Sequence, residues 1–187
     1  MSKQNVEIVR KPLRVRDTSR RTLDQRLSLR FPRLAAANTR LTARLAPSSR
    51  LRQALVWRGA RLALEAFNRR DVNAAYIPLH PEVEFYPARG WTQAGLKPCY
   101  RGLEGYREFV SAWSEVFGAD LRIEPEELID LGDRMVMLGQ LPVRGQASGV
   151  PITEKLAYVF TLKDLLVIRQ QEYLDHAEAL KAVGLEA

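Results

Sequence analysis

Two stretches of this chain are apolar at every position, and they restrict its fold more than any other feature of the sequence. They are 135–138 and 156–160, and each lies within a run that predicts a β-strand. Because successive side chains of a strand point to opposite faces of the sheet, both faces of this sheet must be covered. Helices are expected on one face. A second copy of the sheet, in a homodimer, is the simplest cover for the other.

The other periodicities predict helices in the first half and an antiparallel sheet in the second, so we expect an α+β fold. Gly132-Asp133 supplies a tight hairpin turn, and Asp175 followed by Glu178 has the spacing of a capping box. The predicted helices cover 22–30, 33–46, 50–70, 71–76, 103–117 and 177–183, and the predicted strands cover 83–86, 121–131, 134–144, 152–163 and 166–174.

Charge divides the chain into two parts. Residues 1–50 hold 13 Lys and Arg against 3 Asp and Glu, whereas residues 51–187 hold 16 against 19. We therefore predict a basic helical extension over 1–50 and a mildly acidic α+β domain over 51–187. Within the extension, Leu34, Ala37, Leu41 and Leu45 recur at helical spacing and form an apolar stripe, which is expected to pack on the main domain or on a second subunit.

Several kinds of site are not expected. A single cysteine, Cys99, excludes an internal disulfide and a cysteine metal cluster, and two histidines, His80 and His176, argue against a His-rich metal site. There is no apolar run near the roughly 20 residues of a membrane-spanning helix and no secretory signal pattern. We expect a cytoplasmic protein with no metal, no cofactor and no membrane partner.

Three segments resemble those of the SnoaL-like branch of the nuclear transport factor 2-like superfamily. They are Glu65-Ala66-Phe67-Asn68-Arg69-Arg70-Asp71, the Arg-Gly-x-x-Gly helix start within residues 100–109, and Tyr173-Leu174-Asp175-His176-Ala177-Glu178-Ala179-Leu180. The resemblance covers roughly residues 59–185. It implies a cone-shaped fold in which a curved antiparallel sheet wraps helices, with extra N-terminal helices here. It also implies an apolar pocket at the wide end of the cone.

The N-terminus departs from this pattern. Residues 5–10 also resemble the start of the family's first helix, which normally runs straight into the Glu-Ala-Phe-Asn segment. About fifty residues lie between the two here, so we predict that 11–57 are an insertion.

The resemblance argues against one known chemistry of the superfamily. The three positions used by ketosteroid isomerase correspond to Tyr86, Ala63 and Tyr158 in this sequence. No acidic base remains among them, so steroid isomerisation is not expected. The fold hosts several reactions and also non-catalytic binding, so it does not choose among them.

The candidate catalytic residues are Glu172, Tyr86 and Tyr158. Two phenols that reach an apolar pocket can hydrogen-bond a ligand carbonyl or hydroxyl, although core aromatics are the commoner interpretation of each tyrosine. If Glu172 faces the pocket, its pKa should rise and it can act as a general acid or base. Solvent exposure of Glu172 is the favoured alternative, because carboxylates are rarely buried.

Five further residues are candidates for ligand binding, although each has an ordinary structural interpretation. Trp113 lies on the apolar side of its predicted helix, which usually means core, and Arg101 can pair with Glu104 or Glu84 instead of a ligand. The five candidates are Trp113, Arg101, Gln140, Phe85 and Tyr173.

Two hypotheses for function follow. The first is a domain that binds a small apolar molecule, with or without cofactor-independent lyase, isomerase or hydrolase chemistry. The second is a non-catalytic dimeric interaction module whose basic arm contacts an acidic partner, nucleic acid or an anionic membrane. Nucleic acid is not expected, because the arm has only one aromatic residue, Phe31, for base stacking.

Overall fold

A computed structural model describes residues 8–93, 95–117, 122–144 and 151–185 of the chain. It forms an α+β fold in which one curved, unclosed seven-stranded sheet carries helices on both faces. The elements in chain order are β1 Val9–Pro12, α1 Leu23–Arg30, α2 Pro32–Ala43, α3 Arg50–Asn68, α4 Val72–Ala75, β2 Leu79–Tyr86, α5 Arg89–Gln93, β3 Tyr100–Arg101, α6 Gly102–Phe117, β4 Glu124–Asp130, β5 Arg134–Arg144, β6 Pro151–Lys163, β7 Leu166–Tyr173 and α7 His176–Ala182.

Side-chain caps set the starts of several helices. The Asp175 carboxylate accepts from the backbone N–H of Glu178 at 3.0 Å and begins α7. Asp71 caps α4 in the same way, and the Ser49 hydroxyl caps α3. Because such a cap satisfies a backbone donor that the helix itself leaves unpaired, these boundaries can be predicted from local sequence. The predicted cap at Asp175 is confirmed.

The strands lie in the order β1-β4-β5-β6-β7-β2-β3. The pairs β4–β5, β5–β6 and β6–β7 are antiparallel, as predicted, but β2 pairs with β7 in parallel. Strand β1 pairs with β4 at one edge, with Val9 opposite Asp130. Residues 5–10 resemble the start of the family's first helix, but residues 9 and 10 lie in β1; residues 5–7 lie outside the described ranges.

The inner face of the sheet packs on α3 and α6 and carries the larger core. Met135, Met137 and Tyr158 point to this side, whereas Val136 and Val159 point to the outer side. The outer residues are buried against α7, through Ala179 and Leu180 among others. Since the chain's own last helix covers this face, the apolar strands do not require a second copy of the sheet. The homodimer stays a prediction.

A buried ion pair ties the N-terminal helices to the sheet. The Arg52 guanidinium of α3 donates to both carboxylate oxygens of Asp130 at 3.0 Å and to the Gly132 carbonyl at 2.9 Å. Both charged side chains are almost fully buried, at 4% and 0% exposure. Each buried charge depends on the other, because either one left without its partner in the interior would strongly destabilise the fold.

The N-terminal segment is integrated into the fold, but its apolar stripe faces outward. Leu13 is buried in the main core, and Gln25 of α1 donates to the Leu62 carbonyl of α3 at 2.8 Å. In α2, however, Leu34 and Leu41 are 68% and 62% exposed. Of the two expected partners for this stripe, the main domain is wrong for these two leucines, because α2 turns Thr42 inward instead. A second subunit stays a prediction.

Candidate functional site

A cavity of about 900 Å³ lies between the inner face of the sheet and the N-terminal helices. Its walls are mostly apolar and come from α1, α2 and α3 on one side and from β4, β5 and β6 on the other. The N-terminal helices therefore form part of the wall. Representative wall residues are Leu27, Phe31, Val56, Leu128, Met135 and Phe160.

Three polar side chains of the sheet and α6 reach the lining of this cavity. They are Tyr106 of α6, Tyr158 of β6 and Gln170 of β7, and all three are buried. The strand register explains why Tyr158 and Gln170 share a face. Tyr158 pairs with Glu172 and Phe160 pairs with Gln170, so all four side chains point to the same side of the sheet. The sheet and α6 thus offer two phenols and one amide to a mostly apolar cavity. The N-terminal helices add polar side chains of their own, among them the buried Gln25 and Thr42.

The carboxyl group of Glu172 contacts the Tyr158 hydroxyl but does not itself line the cavity. Its side chain is 1% exposed, so the favoured prediction of a solvent-facing carboxylate is wrong. One carboxylate oxygen accepts from the Tyr158 hydroxyl at 3.2 Å and the other accepts from the backbone N–H of Ala88 at 3.0 Å. It is Tyr158, rather than Glu172, that lines the cavity.

Burial raises the pKa of Glu172 to about 7, although the hydrogen bonds from Ala88, Tyr158 and Trp91 lower it in part. Desolvation raises the pKa because it disfavours the charged carboxylate, and this effect is larger than that of the hydrogen bonds. A carboxyl group with this pKa can both give and take a proton near neutral pH.

Burial also raises the pKa of both phenols that line the cavity. For Tyr158 the negative charge of Glu172 adds to this effect. For Tyr106, proximity to Tyr76 raises the pKa further, while a hydrogen bond with Gln170 lowers it. Both hydroxyls are therefore protonated near neutral pH and can donate hydrogen bonds to a ligand.

Tyr86 lies apart from these groups. Its hydroxyl donates to Glu84 at 2.9 Å, and the Arg169 guanidinium lies 4.3 Å from its ring centroid. Arg101, which is 77% exposed, pairs with the same Glu84 at 3.2 Å. Neither Tyr86 nor Arg101 lines the cavity, so the structure does not bring Tyr86 together with Tyr158 and Glu172.

The alternation of side chains along a strand explains why Tyr86 and two other candidates, Gln140 and Tyr173, lie outside the cavity. Tyr86 pairs with Gln171, Gln140 pairs with Lys155, and Tyr173 pairs with Ala157, all on the outer side of the sheet. Gln140 instead donates to Glu126 at 2.5 Å. Tyr173 packs with the cluster under α7. None of these side chains reaches the cavity.

The two remaining candidates are core residues. Phe85 and Trp113 are both fully buried. Both pack on Phe109, with ring centroids 4.0 Å and 5.4 Å away respectively. Neither lines the cavity, although Phe85 lies edge-on to Tyr106 at 5.6 Å and so fixes the position of that phenol. The common interpretation of such aromatics as core applies to both.

Sequence reasoning missed Tyr106 and Gln170. Tyr106 lies seven residues before Trp113, on the same inward side of α6, and Gln170 has the same strand parity as Glu172. These spacings are the sequence signals from which each residue could have been assigned to the inner side. Among the described residues, no three His, Cys, Asp or Glu side chains come together in a group that could hold a metal ion.

Comparison with known proteins identifies the family. The family model of the SnoaL-like domain matches residues 60–170, which is more than half of the chain. The chain belongs to the SnoaL-like domain family. A search of curated proteins gave no significant match.

Solved structures agree with this assignment. TerC, co-crystallised with polyporic acid, is 26% identical, with 67% of this chain and 98% of TerC covered and a TM-score of 0.58. An NTF2-like protein of unknown function from Burkholderia pseudomallei is also 26% identical, with 69% and 97% covered and a TM-score of 0.58. A putative SnoaL-like polyketide cyclase from a Jannaschia species is 18% identical, with 70% and 89% covered and a TM-score of 0.52, and shares the fold.

Proposed function

We propose that the cavity binds a small apolar molecule that carries a carbonyl or hydroxyl group, and that Tyr158 and Glu172 act on this group as an acid–base pair. The observation that carries the proposal is the Tyr158–Glu172 hydrogen bond, which joins a cavity-lining phenol to a fully buried carboxyl group. An apolar cavity with a few convergent polar groups is the usual form of a small-molecule site.

The protonation state of Glu172 decides how Tyr158 meets the ligand. When Glu172 is ionised, it accepts the Tyr158 proton in a hydrogen bond, and the phenol oxygen is left to accept from a ligand hydroxyl. When Glu172 is protonated, it can donate to the phenol oxygen, and Tyr158 is then free to donate to a ligand carbonyl. Tyr106 and Gln170 supply the further hydrogen bonds that orient the ligand.

A proton can move along the same path. A ligand O–H that loses its proton to the Tyr158 oxygen does so as the Tyr158 proton passes to Glu172. The reverse transfer returns a proton to the ligand. Neither direction needs a cofactor, because Glu172, with a pKa of about 7, is the only group whose charge changes besides the ligand.

The likeness to TerC supports a small-molecule ligand and supplies a probe. TerC is 26% identical to this chain and was crystallised with polyporic acid. We therefore expect polyporic acid, or a molecule of similar size, to enter the cavity.

Titration of the protein with polyporic acid, followed by tryptophan fluorescence or calorimetry, tests the proposal. Replacing Tyr158 with Phe should weaken binding about tenfold, since a lost hydrogen bond is worth about 1 kcal/mol or more in a buried site. Tyr106→Phe should act in the same direction. Tyr86→Phe is the matched control, because its hydroxyl lies outside the cavity, and it should bind as the wild type does.

Two results would contradict this function. One is equal affinity of the wild type and the Tyr158→Phe protein. The other is a native mass spectrum in which no small molecule is retained after incubation with polyporic acid or after purification from cells.

A further inference from the structure

The outward side of α1 carries apolar and basic residues together. Leu23, Arg26, Leu27 and Arg30 follow one another at spacings that place them on one face of the helix, and all four are exposed. Leu23 is 70% exposed and Leu27 is 48% exposed. Exposed leucines grouped on one helix face, rather than scattered singly, indicate a contact surface.

Helix α2 continues this surface. Leu34 and Leu41 are separated by two turns, and Arg33 and Arg40 precede them by one residue each. All four are exposed, as is Phe31 between the two helices. We call the exposed side of residues 23–44 the α1–α2 face.

The α1–α2 face is strongly positive. The sequence holds nine arginines and no Asp or Glu from Gln25 to Leu64. Three of these arginines pair with carboxylates: Arg52 with Asp130, Arg61 with Glu65, and Arg58 with Asp24, the one acidic residue of α1 and α2. Within the described ranges, no ion pair engages the arginines of the face itself, which are Arg26, Arg30, Arg33, Arg40 and Arg44.

The face also coincides with one end of the cavity. Leu27, Phe31 and Leu34 line the cavity and are at the same time 48%, 48% and 68% exposed. The cavity therefore opens between apolar residues of the α1–α2 face.

We propose that the α1–α2 face docks on an anionic lipid surface, with its leucines and Phe31 at the boundary of headgroups and acyl chains and its arginines on the lipid phosphates. Helices with this mixture of Leu, Phe and Arg lie in the plane of such an interface. No described helix is long and apolar enough to cross a membrane, so the contact is peripheral. The expectation of no membrane partner is replaced by this proposal.

Charge disfavours the other occupants. A second copy of the chain would bring five more arginines against the same face, and like charges brought together oppose association. A nucleic acid would satisfy the arginines, but it would leave the exposed leucines without an apolar partner and would find only Phe31 for stacking. A bilayer with anionic headgroups satisfies both kinds of side chain.

Docking would place the open end of the cavity against the lipid. An apolar ligand could then pass from the bilayer between Leu27, Phe31 and Leu34 without crossing water. This second step rests on the proposed function, whereas docking itself does not.

Flotation with vesicles tests docking on the full chain without any ligand. Vesicles of phosphatidylcholine mixed with phosphatidylglycerol should carry the protein at low salt, and vesicles of phosphatidylcholine alone should carry much less. The triple variant Arg33→Gln, Arg40→Gln, Arg44→Gln should weaken binding about fivefold for each arginine removed. Leu34→Ser with Leu41→Ser should weaken it about tenfold.

A charge-matched variant controls for net charge. Arg107, Lys155 and Lys181 are exposed on α6, β6 and α7, and their replacement with Gln removes the same charge elsewhere. This protein should bind vesicles as the wild type does, within the error of the assay. Equal losses in the two triple variants would overturn the proposal, as would wild-type binding that does not depend on the anionic lipid.

Two further outcomes would also overturn it. A dimer in light scattering that the leucine substitutions dissociate would assign the face to a second copy. Binding to RNA that outlasts the leucine substitutions, with no binding to vesicles, would assign it to nucleic acid.

Failure of docking and failure of the proposed function are distinguishable. The triple arginine variant should keep the wild-type affinity for polyporic acid in solution, because its three arginines do not line the cavity. Loss of polyporic acid binding by the wild type, with vesicle binding intact, would contradict only the cavity function.

Discussion

The buried carboxyl group of Glu172 makes a prediction about stability that needs no ligand. Its pKa rises from 4.5 in the unfolded chain to about 7 in the folded protein, chiefly because burial disfavours the charged form. Since a pKa difference of one is worth about 1.4 kcal/mol, ionisation of Glu172 should lower the free energy of unfolding by about 3 kcal/mol. The side chain is 1% exposed, so solvent screening does not reduce this value much.

The sign follows from proton binding. Between the two pKa values the folded protein holds a proton that the unfolded chain releases, so stability decreases as pH rises. Well below pH 4.5 both states are protonated, and well above pH 7 both are ionised, so stability stops changing with pH at both extremes. Most of the loss should fall between about pH 5 and pH 8.

Glu172→Gln provides the comparison, because an amide resembles the protonated carboxyl group and cannot ionise. Gln can accept from the Ala88 N–H and donate to the Tyr158 oxygen. Urea unfolding at about pH 5 and about pH 8 should show a loss of about 2–3 kcal/mol in the wild type that is absent in the variant. Parallel pH profiles for the two proteins would refute the reasoning, since they would mean that Glu172 does not titrate in this range.

Three other substitutions test the fold by urea unfolding. Asp130→Asn leaves the buried Arg52 charge without its partner and should lower the free energy of unfolding by about 3–5 kcal/mol; a loss below about 1 kcal/mol would contradict the buried pair. Gly139→Ala places a methyl group 2.5 Å from a β4 carbonyl oxygen and should cost about 1–3 kcal/mol, whereas no change would mean that β4 and β5 are further apart. The pKa of Asp71 is lowered to about 2, chiefly by Arg21, so the wild type should lose stability as pH falls from about 4 towards 2; Asp71→Asn should lose less over that range.

Local features of this protein were predictable from its sequence because neighbouring residues produce them. The strand over residues 134–144 follows from a continuous apolar run beside a turn, and the Asp175 cap follows from a side chain within reach of its own backbone. The SnoaL-like segments indicated the family for the same reason, since each is a short continuous motif.

The candidate site was predicted only in part. The sequence indicates Tyr158 and Glu172, and their side chains do meet, 3.2 Å apart. The second phenol that lines the cavity is Tyr106 and not Tyr86. A slip of one position along a strand moves a side chain to the opposite face, so Phe85 points inward while Tyr86 points away. Sequence alone does not say which parity of a doubly apolar strand faces the cavity.

The sequence by itself determined most helices and strands, though not β1, α5 or β3. It also determined the family and the division between a basic N-terminal part and an acidic remainder. Only the tertiary structure decided that Glu172 is buried and that α7 covers the outer face. It also decided that Leu34 and Leu41 are turned to solvent. The physical reason is that periodicity shows which residues share a face, whereas burial depends on what packs against that face, and the packing elements are distant in sequence.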